Sequence, residues 1–411
     1  MELGFAEALL IAGLLLTVAA GLSGLMRGTV LSISVLAVAA GVGFAELDVV
    51  TVSPGDEALV EVIELALILT LFADGLVVER ELLRIHWGPP ARAIAVAMPL
   101  TLLALALGAK ALFAELSWAE AFLLAAVLSP TDPVVTSAIL TSRRVPAIVR
   151  HTLNLESGLN DGLAVPFVLF FLVLAQAEGG AGGEAATLLG EAAAGAAIGV
   201  ALGVAGGWVL RRLPGGGVTH RYEGLYALGI GLAAFGLAEV TIGNGLIAAF
   251  VAGISVGVAE HALTESFVSF NENLSAIFQV VTFFLFGALI VATGYEGAIL
   301  PLVAFVAFAL LVARPLAIAL AFIASRVPRV QRGFIAWFGP KGVASMLFAL
   351  FVLNSQAEER TAVFDIAAFT ILASILAHGL TDTVGTGWIE RRMRDAEEPG
   401  EEGDAPGRLL G

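Results

Sequence analysis

The chain has 411 residues and no cysteine, which excludes disulfides, thiol catalysis and thiolate metal sites. Only 14% of its residues are charged, where a soluble protein carries about a quarter, and its mean hydropathy is +0.94. A net charge of −15 argues against a nucleic-acid partner, and five scattered histidines argue against a histidine-built metal cage.

Polar residues gather into short clusters between long apolar runs, the signature of helices that each need roughly 20 apolar residues to cross a membrane. The predicted class is an all-α polytopic membrane protein. In chain order, thirteen candidate spans are predicted at about 4–25, 29–46, 58–78, 91–114, 118–141, 150–177, 185–210, 222–238, 241–260, 272–293, 297–324, 331–354 and 363–386. The first of these, Phe5 to Met26, follows Glu2 and precedes Arg27, with no Lys or Arg before it. A cleaved signal has the opposite polarity, so this run is expected to be a retained span.

The basic residues follow the alternation of this layout. Arg27, Arg80, Arg84, Arg92, Arg143, Arg144, Arg150, Arg211, Arg212, Arg221, Arg326, Arg329, Arg332, Arg391, Arg392, Arg394 and Arg408 fall on one side, while Lys110 and Arg360 fall on the other. The positive-inside rule then predicts an external amino terminus and a cytoplasmic carboxyl tail.

Thirteen spans suggest two six-span units of opposite orientation joined by span 7, the inverted-repeat plan of many secondary transporters. Under that plan span 5 corresponds to span 12. Span 5 is interrupted by Ser129-Pro130-Thr131-Asp132-Pro133 and span 12 by Gly339-Pro340-Lys341-Gly342. Paired broken helices of this kind point to a transport site, because unwound backbone at membrane depth needs protein or a wet cavity to satisfy it. Span 7 carries Gly195, Gly199, Gly203 and Gly207 at a spacing of four, a strip that lets another helix approach closely. The segment 387–411 is expected to be a short acidic tail after a transmembrane domain over 1–386.

Ionisable residues inside spans are costly and mark function. With a rise of about 1.5 Å per residue, Asp132 and Asp161 each lie about 16 Å from the cytoplasmic edge, Lys341 about 13 Å and Arg314 about 18 Å. Four charges from four spans are therefore expected at one level, around a cavity. Residues four apart share a helix face, so Ser157 lies under Asp161 and Glu156 under Asn160 on span 6. The first pair offers a hydroxyl and a carboxylate to a hard monovalent cation. The second leaves Glu156 to a cationic partner, either Lys341 or Arg314. Thr131 and carbonyls freed at Pro130 can add oxygens, and Asp74 of span 3 is a further candidate. A proton and a cation compete for one buried carboxylate, since each disfavours the other. Exchange of one for the other results if the empty anion cannot cross between inward-open and outward-open states.

Ser129-Pro-Thr-Asp-Pro133 followed by Glu156-Ser-Gly-Leu-Asn-Asp-Gly162 resembles the monovalent cation:proton antiporters, in particular the prokaryotic NhaP-type relatives of eukaryotic sodium/proton exchangers. Phe72-Ala-Asp-Gly75, Gly243-Asn-Gly-Leu-Ile-Ala-Ala249, Phe284-Leu-Phe-Gly287, Gly339-Pro-Lys-Gly342 and His378-Gly-Leu-Thr381 extend the resemblance over most of the chain. The resemblance implies a homodimer, with spans 1–3 and 8–10 forming the dimerisation part, spans 4–6 and 11–13 the mobile core and span 7 the linker. It implies that Asp161 is the essential ion-binding carboxylate, with Asp132 and Thr131 beside it on crossed broken helices. It also implies electroneutral exchange of Na+ or Li+ for H+ in the inner membrane, from the Asn160-Asp161 form of the motif, and no cofactor. In this branch the glutamate corresponding to Glu156 pairs with an arginine in span 12, where this sequence has Lys341.

Potassium/proton exchange would use the same fold and is the nearest alternative, since selectivity depends on cavity size and oxygen geometry that the sequence does not fix. Two other readings fit less of the pattern. A channel does not require mid-membrane carboxylates set against fixed cations. An intramembrane aspartyl protease with Asp132 and Asp161 as its dyad would carry Gly-x-Gly-Asp, whereas Asp161 sits in Leu159-Asn-Asp-Gly162.

Overall fold

Apolar runs form helices here because a backbone facing lipid must satisfy its hydrogen bonds within its own segment. The computed structural model describes residues 5–26, 33–77, 87–132, 142, 145–176, 181–212, 222–259 and 265–397, and among these there is no β-strand. The helices are α1 (Phe5–Met26), α2 (Ile33–Glu46), α3 (Glu57–Val77), α4 (Gly88–Leu112), α5 (Trp118–Val127) and α6 (Ala147–Gln176). They continue with α7 (Ala181–Arg212), α8 (Glu223–Glu239), α9 (Gly245–Ala259), α10 (Glu265–Thr293) and α11 (Ile299–Ala321). The last are α12 (Arg329–Trp337), α13 (Val343–Leu353) and α14 (Arg360–Glu397). Helices α1 to α11 lie on candidate spans 1 to 11, α12 and α13 are the two parts of span 12, and α14 contains span 13. Among the described residues, six helices contain stretches long and apolar enough to cross a membrane, in α4, α6, α7, α10, α11 and α14.

Two features depart from the expected layout, the length of α14 and the winding of α4 and α11. Helix α14 continues to Glu397, beyond the predicted end at 386, so the tail's acidic residues from Glu398 onward lie outside the described residues. Pro133 and the rest of span 5 to residue 141 lie outside them too, as do Arg27, Arg80, Arg84, Arg143, Arg144, Arg221 and Arg408. Finally, α4 and α11 each contain a π turn, at Ala93–Ala97 and Ala309–Ala313. In both, a proline follows within two residues of the turn, Pro99 in α4 and Pro315 in α11. Proline offers no N–H to the preceding turn, and the wider winding accommodates the gap.

Packing follows residue size. The glycine strip of α7 lies on α9: a Cβ at Gly195, Gly199 or Gly203 would run into the backbone of Asn244, Ala248 or Ala252. In the same way α10 lies along α2 and α9 along α3. A second set of contacts joins α4 to α5, α5 to α6, α11 to α12 and α13 to α14. The two sets meet where α3 touches α6 and α13, where α7 and α9 touch α6, and where α10 touches α13 and α14.

Candidate functional site

The two interruptions face each other. Helix α5 ends at Val127, and the chain runs non-helically through Thr131 and Asp132. Helix α12 ends at Trp337 and α13 starts at Val343. Backbone groups released by one break are used by the other: the Asp132 N–H donates to the Pro340 carbonyl at 2.8 Å. The Asp132 carboxylate in turn accepts the Val343 N–H at 3.0 Å. Val343 is the first residue of α13, and Gly342 before it has no side chain to cap the helix. Asp132 therefore supplies an anionic cap from another segment, at the end of α13 where the helix dipole is positive. Gly342 leaves room for this, since a Cβ there would overlap the Asp132 carboxyl.

Helix α6 presents Ser157, Asn160 and Asp161 to the same place. The Ser157 hydroxyl donates to the Thr131 carbonyl, and the Asn160 amide nitrogen donates to Thr131 Oγ1 at 2.7 Å. Thr131 is thus the point at which the α5 break is held to α6. From α3, Asp74 comes within hydrogen-bonding reach of Asp161. Asp74 Oδ2, Asp161 Oδ1 and Asn160 Oδ1 are buried oxygens with no hydrogen-bond partner among the described residues. Two carboxylates side by side repel each other unless a proton or a cation lies between them. Among the described residues no three His, Asp or Glu side chains form a metal cage, so a cation here would draw on amide, hydroxyl or carbonyl oxygens as well.

The two buried cations divide their tasks. Arg314 follows the π turn of α11 and grips Glu156 through Nη1–Oε1 at 2.5 Å and Nη2–Oε2 at 3.0 Å. Its Nη2 also donates to the Ile335 carbonyl of α12 at 3.3 Å. A Cβ at Gly339 would strike this guanidinium. Both charges are almost fully buried, at 7% and 2% exposed, and a bidentate fork is the geometry that makes such a pair tolerable. Of the two partners open to Glu156, the structure places Arg314 on it. The Lys341 ammonium instead donates to the Pro130 carbonyl at 3.2 Å. It lies in the electrostatic neighbourhood of Arg314, Glu156 and Asp161.

Of the nine sequence-derived candidates, the structure joins Ser157 and Asn160 to Thr131, sets Lys341 on the adjacent Pro130 carbonyl, docks Asp132 on the α12–α13 break, pairs Glu156 with Arg314 and sets Asp74 beside Asp161. The sequence did not single out Ser374 and His378 of α14 as site residues. Ser374 Oγ accepts the Lys341 N–H at 2.9 Å, and His378 Nε2 lies 2.8 Å from the Trp337 carbonyl. Only the His378-Gly-Leu-Thr381 motif pointed to this stretch of chain.

Comparison with known proteins adds three findings. The family described as "Sodium/hydrogen exchanger, transmembrane" matches residues 10–384. A K(+)/H(+) antiporter NhaP of Alkalimonas amylolytica is 26% identical over 338 residues, covering 82% of this chain and 58% of that protein. A K(+)/H(+) antiporter NhaP2 of Shewanella oneidensis is 26% identical over 273 residues, covering 66% of this chain and 47% of that protein. The chain therefore spans about half the length of these curated relatives. The structure of the sodium proton antiporter MjNhaP1 from Methanocaldococcus jannaschii at pH 8 superposes with a TM-score of 0.77 at 20% identity, over 94% of this chain and 98% of that one. At that identity the superposition speaks for the fold.

Proposed function

The chain belongs to the sodium/hydrogen exchanger family, and on that premise we propose that it exchanges Na+ or Li+ for H+ across the cytoplasmic membrane by alternating access. The family is one of membrane transporters, not of enzymes. The observation that carries the proposal is the meeting of Asp74 and Asp161 beside the Asn160 Oδ1 oxygen, which has no partner among the described residues. A proton shared between the carboxyls or a cation bound by them relieves the same repulsion, so one displaces the other.

In this reading Asp161 is the exchanging carboxylate, and Asp74, Thr131, Ser157 and Asn160 complete its surroundings. Asp132 ties the α5 break to α13. Glu156 and Arg314 neutralise each other and leave the remaining carboxylates to set the charge of the cycle. The Asn160-Asp161 form supports one-for-one, electroneutral exchange. Thirteen crossings in two inverted repeats are part of the same proposal, and the matching π turns of α4 and α11 support the correspondence of spans 4 and 11. So is the division into a core of spans 4–6 and 11–13 and a dimerisation part of spans 1–3 and 8–10, with an external amino terminus and a cytoplasmic tail.

A second reading, K+ for H+, is favoured by one specific observation, the potassium/proton names of the curated relatives. The deciding experiment uses proteoliposomes with an imposed pH gradient, to which Na+, Li+ or K+ is added. Cation-dependent proton flux is expected, with Na+ and Li+ more effective than K+ and no dependence on membrane potential. Flux driven by K+ alone selects the second reading. Undiminished flux in Asp161→Asn sinks both.

A further inference from the structure

We propose that His378 and Ser374 of α14 form a positioning pair that holds the two ends of the α12–α13 break together, so that Asp132 and Lys341 keep the placement ion exchange requires. The inference rests on the antiport reading for its functional part, whereas the clamp itself is a matter of geometry.

A helix that stops inside a protein leaves its last carbonyls without intrahelical partners. Trp337 is the last residue of α12, and His378 Nε2 lies 2.8 Å from its carbonyl oxygen. Three residues beyond Phe338, the Lys341 N–H donates to Ser374 Oγ at 2.9 Å. Ser374 and His378 are four apart on one face of α14, and Ser374 Oγ lies 3.2 Å from His378 Nδ1. His378 Nδ1 also lies 2.6 Å from the Ser374 carbonyl. Both ring nitrogens face carbonyl oxygens, which only accept, so a ring carrying both protons donates to Ser374 and Trp337 together and a neutral ring donates to one of the two. Whenever the proton is on Nε2, the ring donates to the Trp337 carbonyl, while the Lys341 N–H donates to the serine oxygen. The clamp thus closes across the break, from the residue that ends α12 to the residue whose ammonium reaches Pro130.

Burial makes the arrangement costly to lose. Ser374 is 0% and His378 3% exposed, and the imidazole packs against Trp337 at 5.2 Å and Phe338 at 6.4 Å between ring centroids. On its other side the break receives Asp132, through the Pro340 carbonyl and the Val343 N–H. Asp132 is therefore docked on a segment that α14 holds from behind. His378 acts through that backbone, which makes it a positioning residue.

The test uses the full chain in proteoliposomes, with cation-driven proton flux measured against cation concentration and pH, together with hydrogen exchange of residues 338–343. His378→Ala is expected to raise the apparent KM for the cation roughly ten-fold, the scale of a lost buried hydrogen bond, and to speed amide exchange at Lys341 and Val343. His378→Gln, whose amide can still donate to the Trp337 carbonyl, should recover most of both effects, and Ser374→Ala should resemble His378→Ala. A role confined to folding would lower the amount of active protein and leave KM, pH profile and His378→Gln rescue unmoved, which overturns the proposal. Unchanged amide exchange in both alanine variants overturns the clamp whether or not the wild-type chain transports. Absence of flux in the wild-type chain, with faster exchange in the variants, defeats the antiport reading while leaving the clamp in place.

Discussion

Arg314 holds Glu156 through two nitrogen–oxygen contacts of 2.5 and 3.0 Å, from the helix that resumes directly after a π turn. Because the pair is buried, removing one partner leaves the other as an uncompensated charge, at a cost of about 3–5 kcal/mol. Arg314→Ala and Glu156→Gln are each expected to lower thermal stability in detergent by that order. Arg314→Lys should recover only part of it, since an ammonium lacks the planar fork. A double variant that loses little more than either single one would confirm that the two act as a pair.

Lys341 stands in a different position from the one its place in span 12 suggests. Its Nζ meets the Pro130 carbonyl, Glu156 is already taken, and the residue is 4% exposed. Lys341→Arg should therefore impair cation-driven proton flux in proteoliposomes, because a larger guanidinium must enter a packed space beside Arg314. Wild-type flux in this variant would show that only the charge at this position matters.

Gly342 has no tolerance for a side chain. Gly342→Ala pushes a methyl group into the Asp132 carboxyl, and overpacking of this kind costs about 1–3 kcal/mol. Loss of transport with only a modest fall in melting temperature is expected. Transport that survives intact would mean that Asp132 can leave its cap on α13 without consequence.

At Asp74 the expected outcome separates charge from shape. Asp74→Asn leaves Asp161 with a neutral neighbour and should weaken cation binding, read as a higher apparent KM in the flux assay. Asp74→Glu retains the carboxylate and should be the milder change. Equal KM values for wild type and Asp74→Asn would remove Asp74 from the site.

Outside the spanning segments, Glu359 sits just before α14 in a crowd of acids. Partial burial and then the nearby Glu120, Glu358 and Glu115 raise its pKa above the usual 4.5. A carboxyl whose folded-state pKa is raised destabilises the fold once pH exceeds the unfolded value, and the penalty disappears below it. Glu359→Gln should thus raise the melting temperature at neutral pH and leave it unchanged below about pH 4.5. The gain should shrink in high salt, as it does for exposed charges.

The membrane class and the stretches that form helices could be read from hydropathy, which is a local property of the chain. The breaks at Thr131-Asp132 and Gly339–Gly342 were legible for the same reason, since proline and glycine act on their own backbone. Helix rise, which converts residue number into height, was also enough to expect Asp132, Asp161, Arg314 and Lys341 near one another. Rise says nothing about which way a side chain points around the bundle. Each π turn adds a residue and rotates the remainder of its helix by about 100°, and the one in α11 lies directly before Arg314. Only the tertiary structure therefore decided that Arg314 and not Lys341 meets Glu156, that Asp74 reaches Asp161, and that α14 grips both ends of the α12–α13 break. Position along a helix is a local property of the chain, whereas the packing of separate helices chose the neighbours of these groups.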